Sequence, residues 1–264
     1  MVSRMDPTRA TSAARFLPLA TAAAAEHGPG PLHHVRETRS TNTELADAAR
    51  AGETDPLVLV ADHQREGRGR RDRRWTDDTG AALLASFRLP ADAGEAGLLV
   101  QSLGAAARAA VDGLCVAEIL AKWPNDLVVA EGDVTGKLAG VLAEFVPSTP
   151  SCVIVGIGIN VVPIKRIAGA ISIVESGGPA DRDRVLAALL REFAARRENP
   201  DDVVAELRRH SATIGSRVRV ELPAGGELRG RAVDLEIDGR LVVEDDTGRR
   251  HVIDAGDIVH LRSV

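Results

Sequence analysis

"LVLVADHQREGRGRRDRRW", Leu57 to Trp75, changes texture halfway along. Its first eight residues open on an apolar, valine-rich run, which marks a buried strand. The rest packs five arginines and one aspartate between Gly67 and Trp75. A strand that ends in a Gly-Arg loop, and not in a helix, separates this chain from the common dinucleotide folds. Gly67 and Gly69 allow close approach of backbone amides to a ligand. Arg68 and Arg70 can meet a carboxylate or phosphate as forks, and Trp75 offers a flat face for a base. Read alone, the loop is equally well a solvated basic segment.

Outward from it the chain alternates strands and helices. "NTELADAARAG" is a helix ending on Gly52, with Thr41 and Glu44 expected as a capping box. "ALLASFRL" (Ala82 to Leu89) is a second strand. Leu99, Leu103, Ala106, Ala110 and Leu114 recur at helical spacing. "DLVVAEG" and "KLAGVLAEF" are strands joined by a turn, and simple alternation puts Lys137, Ala139 and Val141 on one face, opposite Leu138, Gly140 and Leu142. "CVIVGIGINVV" is a further strand. Asp181 caps a helix with core face Val185, Leu189 and Phe193, and "DDVVAELRR" is a shorter one. Five short alternating strands follow from about Gly215, which suggests a small barrel. These elements predict a tail at residues 1–30, an α/β unit at 31–213 and a small β unit at 214–264.

Composition narrows the function. Of 33 basic residues only Lys122, Lys137 and Lys165 are lysine, and there are two tryptophans and no tyrosine. A compact ammonium is not equivalent to a guanidinium, so lysines and tryptophans inside motifs stand out. The formal net charge of −5 argues against a general nucleic-acid binder, which must neutralise many phosphates at once. Two cysteines, Cys115 and Cys152, lack metal spacing and point to a reducing cytoplasm. "FLPLATAAAA" near the start is too short to span a membrane, and a loose tail or short helix is expected there ahead of a processed leader. "GDVTGKL" is not a phosphate loop, because Glu131 stands at the first glycine and Leu138 at the magnesium hydroxyl. "GIGINV" has Val161 at its third glycine and lies within a strand.

Three further stretches carry polar chemistry. "RSTNTE" sets two hydroxyls and an amide at a helix start. "AKWPNDL" puts Lys122, Trp123, Asn125 and Asp126 between a helix and a strand, with amide and carboxylate groups able to read a base edge or approach a metal. "GKLAGVLAE" places Lys137 near Gly140. In order, "STN", "QREGRGRRDRRW", "KWPND", "GKLAGVLAE" and "VGIGIN" resemble the signature set of biotin protein ligases over about residues 35–161, and the C-terminal unit resembles their SH3-like domain.

That resemblance implies a two-step reaction: biotin is activated by ATP with Mg2+ to biotinyl-5'-AMP, then transferred to a lysine of a biotin carboxyl carrier protein. It implies that residues 31–213 are a catalytic α/β unit with a mixed sheet flanked by helices, and it implies catalytic roles for Lys137 and Arg68. It implies a biotin pocket of Ser40, Thr41, Asn42, Gln64, Gly67, Arg68, Gly69, Arg70, Trp123, Lys137 and Gly140. It implies ATP contacts from Arg68, Arg70, Arg73, Trp75, Asn125, Asp126, Lys137 and Asn160, with Trp75 stacked on adenine, Asn160 on its edge and Asp126 near the ATP-bound magnesium. The chain resembles the kind without an N-terminal winged helix, so DNA and membrane are not expected partners. Asp72 replaces the last glycine of the family's usual loop pattern. A lipoate or octanoate ligase of the same fold is the related alternative, disfavoured by the polar "STN" and Gln64. A nucleic-acid module working through the Arg loop is the alternative from another class.

Overall fold

The computed structural model describes residues 8–71, 73–131, 134–164, 167–221, 226–253 and 257–260. Asp72 and Lys165, singled out above, lie outside the described residues. The first unit is a seven-stranded sheet. Its strands are β1 (Leu32–Thr38), β2 (Leu57–Gln64), β3 (Ala82–Pro90), β4 (Ile119–Lys122), β5 (Asp126–Glu131), β6 (Val134–Val146) and β7 (Cys152–Asn160). They lie in the order β1-β2-β3-β7-β6-β5-β4. β1 runs parallel to β2, and every other described neighbour pair in this sheet is antiparallel. The sheet is therefore mixed, as expected.

Helices cover both faces, which is why β2, β3 and β7 read as nearly continuous apolar runs. On one face α3 (Thr41–Arg50) buries Leu45, Ala46 and Ala49 against Leu57, Leu59 and Ile154. On the other lie α4 (Ala96–Asp112) and α5 (Arg182–Glu198), with Phe193 of α5 edge-on to Phe87 at 5.2 Å between ring centroids.

Residues expected to be a tail fold from Thr8 onward. α1 (Thr8–Phe16) and α2 (Pro18–His27) bury Ala13, Leu17, Ala20, Ala23 and Ala24 in the main core. Two amides at the start of α2, of Leu19 and Ala20, donate to the carboxylate of Asp183 on α5 at 3.0 and 2.7 Å. A helix start leaves such amides without partners of its own, and an acid distant in sequence supplies them. Alanine on every side of α2 gives no periodic contrast, so the sequence pattern hid this packing.

Two local expectations are corrected. The N-cap of α3 is Ser40, whose hydroxyl accepts the Thr43 amide at 3.5 Å, while Glu44 accepts from the Thr38 hydroxyl. Thr41 thus keeps its side chain for other contacts. In β6 the pairing with β5 shifts by one residue, from Leu127↔Ala139 to Val128↔Lys137. This bulge makes Leu138 an extra, buried residue and swings Lys137 onto the face of Gly140, against the simple alternation.

After α6 (Asp201–Arg209), strands β8 (Arg217–Glu221), β9 (Glu227–Leu235), β10 (Leu241–Glu244), β11 (Arg250–Ile253) and β12 (Asp257–His260) form an antiparallel sheet ordered β11-β10-β9-β8-β12, the small SH3-like unit. It packs on the first unit rather than hanging from it. Ala105 of α4 belongs to its core, and Trp123 donates its indole N–H to the Gly239 carbonyl at 2.9 Å. Among the described residues, no helix is long and apolar enough to cross a membrane.

Candidate active site

One corner of the site is built inside the core. Gln64 ends β2, and its carbonyl oxygen accepts from both the amide (2.7 Å) and the hydroxyl (3.0 Å) of Thr41. The fully buried Ser86 hydroxyl lies 2.6 Å from Thr41 Oγ1 and 2.6 Å from Asn42 Oδ1. The Asn42 amide donates to the Leu142 carbonyl at 3.1 Å. These groups fix one another, as buried polar groups must. The floor beneath them is β7, where a Cβ on Gly156 would stand 1.9 Å from Asn42 Oδ1. Ser40, Thr41, Asn42 and Gln64 line a cavity of about 30 Å3 here, together with Gly140, Leu142 and Trp75. Six of the seven residues just named are expected from the sequence, which misses Leu142 and also Gly156, Gly158 and the bracing Ser86. A lone serine in the apolar run of β3 was the available signal.

The second region is an open cavity of about 500 Å3. Among the described residues, Arg68, Arg70, Arg73, Arg74, Lys122 and Lys137 line it against two carboxylates, Asp126 and Glu221. An excess of positive charge in a cleft draws an anion such as a triphosphate. Lys137 Nζ stands 2.8 Å from Asp126 Oδ1 and lies over Gly140, where a Cβ would approach it to 3.2 Å. The Lys137 backbone is gripped by the segment after β7: its amide donates to Gly169 and its carbonyl accepts from Ile171. Burial lowers the Arg70 pKa from its ordinary value, neighbouring Arg71 and Arg73 add to this, and Asp126 opposes it. The guanidinium remains charged.

The Arg-Gly loop closes this cavity as a small hairpin. Arg68 bridges Arg74 across it, the Gly69 amide donates to Arg73, and the Trp75 amide donates to Gly67. At its tip Arg71 adopts a left-handed φ of 52° and donates Nη2 to the Glu221 carbonyl at 2.8 Å. The Arg68 guanidinium is engaged by Glu144 at 2.6 Å, although Arg68 also lines the cavity.

Trp75 lies flat on β7, where a Cβ on Gly158 would come within 2.5 Å of the indole. Its buried indole nitrogen has no hydrogen-bond partner among the described residues, and Lys137 Nζ is 5.8 Å from its ring centroid. Beyond it opens a cavity of about 220 Å3, lined by Trp75, Asn160 and residues 167–170. The segment after Asn160, which carried no role in the sequence reading, therefore walls a space large enough for a base. Asn160 itself donates to the carbonyls of Lys137 (3.1 Å) and Ile171 (3.2 Å), which makes it a brace for Lys137. Asn125 likewise braces β6, donating to the Val141 carbonyl at 2.6 Å, with Arg70 Nη1 at 3.5 Å from its oxygen. Trp123 lines the large cavity and fastens the small unit.

The expected site residues thus gather at one end of the sheet, in two regions that meet along Gly140 and Leu142. Residues 35–160 match the model of the biotin/lipoate A/B protein ligase family, and residues 213–261 match the biotin protein ligase C-terminal domain. The chain is 41% identical over 247 residues to the biotin–[acetyl-CoA-carboxylase] ligase of Mycobacterium tuberculosis, covering 88% of this chain and 89% of that one. It is 34% identical over 174 residues to the bifunctional ligase/repressor BirA of Escherichia coli, covering 59% of this chain and 50% of that protein. Among solved structures, biotin protein ligase from Aquifex aeolicus in complex with biotin and ATP superposes with a TM-score of 0.71 at 26% identity, over 88% of this chain and 99% of that one. With sequence similarity along most of its length, and with both of the family's domains in place, the chain belongs to the biotin protein ligases.

Proposed function

We propose that this protein activates biotin with ATP and transfers it to a lysine of a biotin carboxyl carrier protein, as a biotin–[acetyl-CoA-carboxylase] ligase. The carrying observation is the junction at Gly140 and Leu142, where a buried polar corner opens into a cation-lined cavity. A ureido group has two N–H donors and one carbonyl acceptor. The polar side chains of Ser40, Thr41, Asn42 and Gln64 that line the corner can answer such a group, whereas a lipoyl or octanoyl chain has neither donor nor acceptor to offer them there.

In the first step a biotin carboxylate oxygen attacks the α-phosphorus of ATP and pyrophosphate departs. Two anions must approach, and Lys137 with Arg70 relieves their repulsion as charge develops on the phosphoryl oxygens. Asp126 holds the Lys137 ammonium in place. The loop arginines Arg73 and Arg74 draw the triphosphate, and the space beside Trp75 takes adenine. Closure of the Arg68–Trp75 hairpin keeps water from the mixed anhydride. In the second step the acceptor lysine amine attacks the biotinyl carbonyl, AMP leaves, and the amine loses a proton.

Magnesium fits this site as a companion of the nucleotide. No group of three or more His, Cys, Asp or Glu that could hold a metal occurs among the described residues. Asp126 is the one carboxylate beside Lys137, and magnesium bound through phosphates needs one or two carboxylates. When bound, it neutralises phosphate charge and eases departure of pyrophosphate. The same reading divides the chain into a catalytic unit to residue 213 and a small unit at 214–264 that fastens the site through Trp123 and Glu221.

The test is incubation with ATP, magnesium, biotin and a carrier domain, read by mass spectrometry. We expect one biotinyl group on one acceptor lysine, undiminished by excess octanoate or lipoate. An unmodified acceptor, or one preferentially acylated by the competing acid, overturns the reading.

A further inference from the structure

Gly140, Leu142 and Glu144 lie along one face of β6. The first two line the site, and the third stands just past its edge. The Glu144 carboxylate meets two guanidinium groups, Arg68 Nη1 at its Oε2 and Arg50 Nη2 at its Oε1, each at 2.6 Å. Arg50, on α3, is itself steadied by Asp47 at 3.0 Å. Arg68 is the first residue of the Arg-Gly hairpin to bridge across it, to Arg74. Whatever holds Arg68 therefore holds one arm of the hairpin, and through its pairing the other arm and Trp75.

We propose that Glu144 is a positioning residue that anchors the Arg-Gly loop in its closed shape by gripping Arg68, with Arg50 neutralising the grip. An unneutralised carboxylate here would repel the anionic substrate at the mouth of its pocket. With Asp47 and its second partner Arg39 counted, three guanidinium groups face two carboxylates, which leaves one positive charge in excess instead. Charge-assisted bonds of this length are the strong kind, yet both arginines are half exposed, which limits each pair to a modest effect. The loop is thus held firmly enough to be ordered and weakly enough to open. This assignment rests on the ligase reading for its kinetic arm, but not for its structural arm.

The structural arm needs no substrate. Glu144→Ala should speed tryptic cleavage after the loop arginines of the ligand-free protein by about fivefold, the size of one such pair, with an unchanged melting temperature. In the kinetic arm, Glu144→Ala should raise the biotin KM about fivefold and change kcat less than twofold. Arg68→Ala should give at least that rise, since Arg68 also lines the cavity, and the double variant no more than Arg68→Ala alone, because both changes break one contact. Wild-type cleavage rates in Glu144→Ala, or penalties that multiply in the double variant, would overturn the proposal. A wild-type protein without biotin-dependent activity would sink the ligase reading, while the cleavage arm would still decide the anchor.

Discussion

The buried corner and the cation-lined cavity are built by opposite means. At the corner, Ser40, Thr41, Asn42 and Ser86 are all buried, and Thr41, Asn42, Gln64 and Ser86 are bonded to one another. Their positions are set by the packing of α3 on β3 and β7. At the cavity, arginines on an exposed hairpin face few acids, and long-range charge does more than fixed geometry. Neutral hydrogen-bonding groups must be pre-aligned to discriminate, because an unmatched one is costly. A phosphate chain is held by net charge, which tolerates movement. Changes at the corner should therefore touch stability and biotin affinity together, and changes at the cavity should touch activity alone.

The largest expected effect is at the cavity. Lys137→Ala should lower kcat by about 10^2- to 10^3-fold, the scale for loss of one group at a developing charge. Its melting temperature should match wild type, measured alongside biotin-dependent pyrophosphate exchange. A large drop in melting temperature would blur the division between the regions. Gly156→Ala comes next and strikes the corner. The added Cβ displaces Asn42, so biotin affinity should fall by about 100-fold in calorimetry, with a cost of about 1–3 kcal/mol in denaturant unfolding. Near-normal affinity would show that Asn42 does not touch biotin.

Ser86→Ala is milder. It removes the buried hydroxyl shared by Thr41 and Asn42, which should cost about 1–2 kcal/mol of stability and raise the biotin KM about tenfold. Smallest is Arg71→Ala, which removes the loop-tip bond to the Glu221 carbonyl. The ATP KM should rise about threefold, in keeping with an exposed charged donor. An Arg71→Ala variant with altered unfolding midpoint would place the tip in the structural class instead.

Motif order carried most of the site. "STN", Gln64, "KWPND" and Lys137 all arrive at one end of the sheet, and the strands and the small β unit are legible as runs and alternation. Three things were not. The N-terminal helices were hidden by alanine, which packs closely without a periodic signature. The Lys137 face was misread, because a single bulged residue at Leu138 inverts alternation and leaves no trace in composition. Arg68 looked like a catalytic cation on the same terms as Lys137, and only the folded chain brings Glu144 and Arg50 to it from β6 and α3.

Local chemistry, then, was written in the chain. Glycines permit close approach, arginines and one lysine supply fixed charge, and short polar side chains at a helix start offer directed bonds. These depend on residue type and near neighbours. Which groups neutralise or brace one another was decided in three dimensions. Ser86 reaches Thr41 from 45 positions away, Glu144 reaches Arg68 from 76, and Glu221 reaches Arg71 from 150. Charge balance and hydrogen-bond satisfaction are properties of a neighbourhood in space, and a linear sequence orders residues by neighbourhood along the chain.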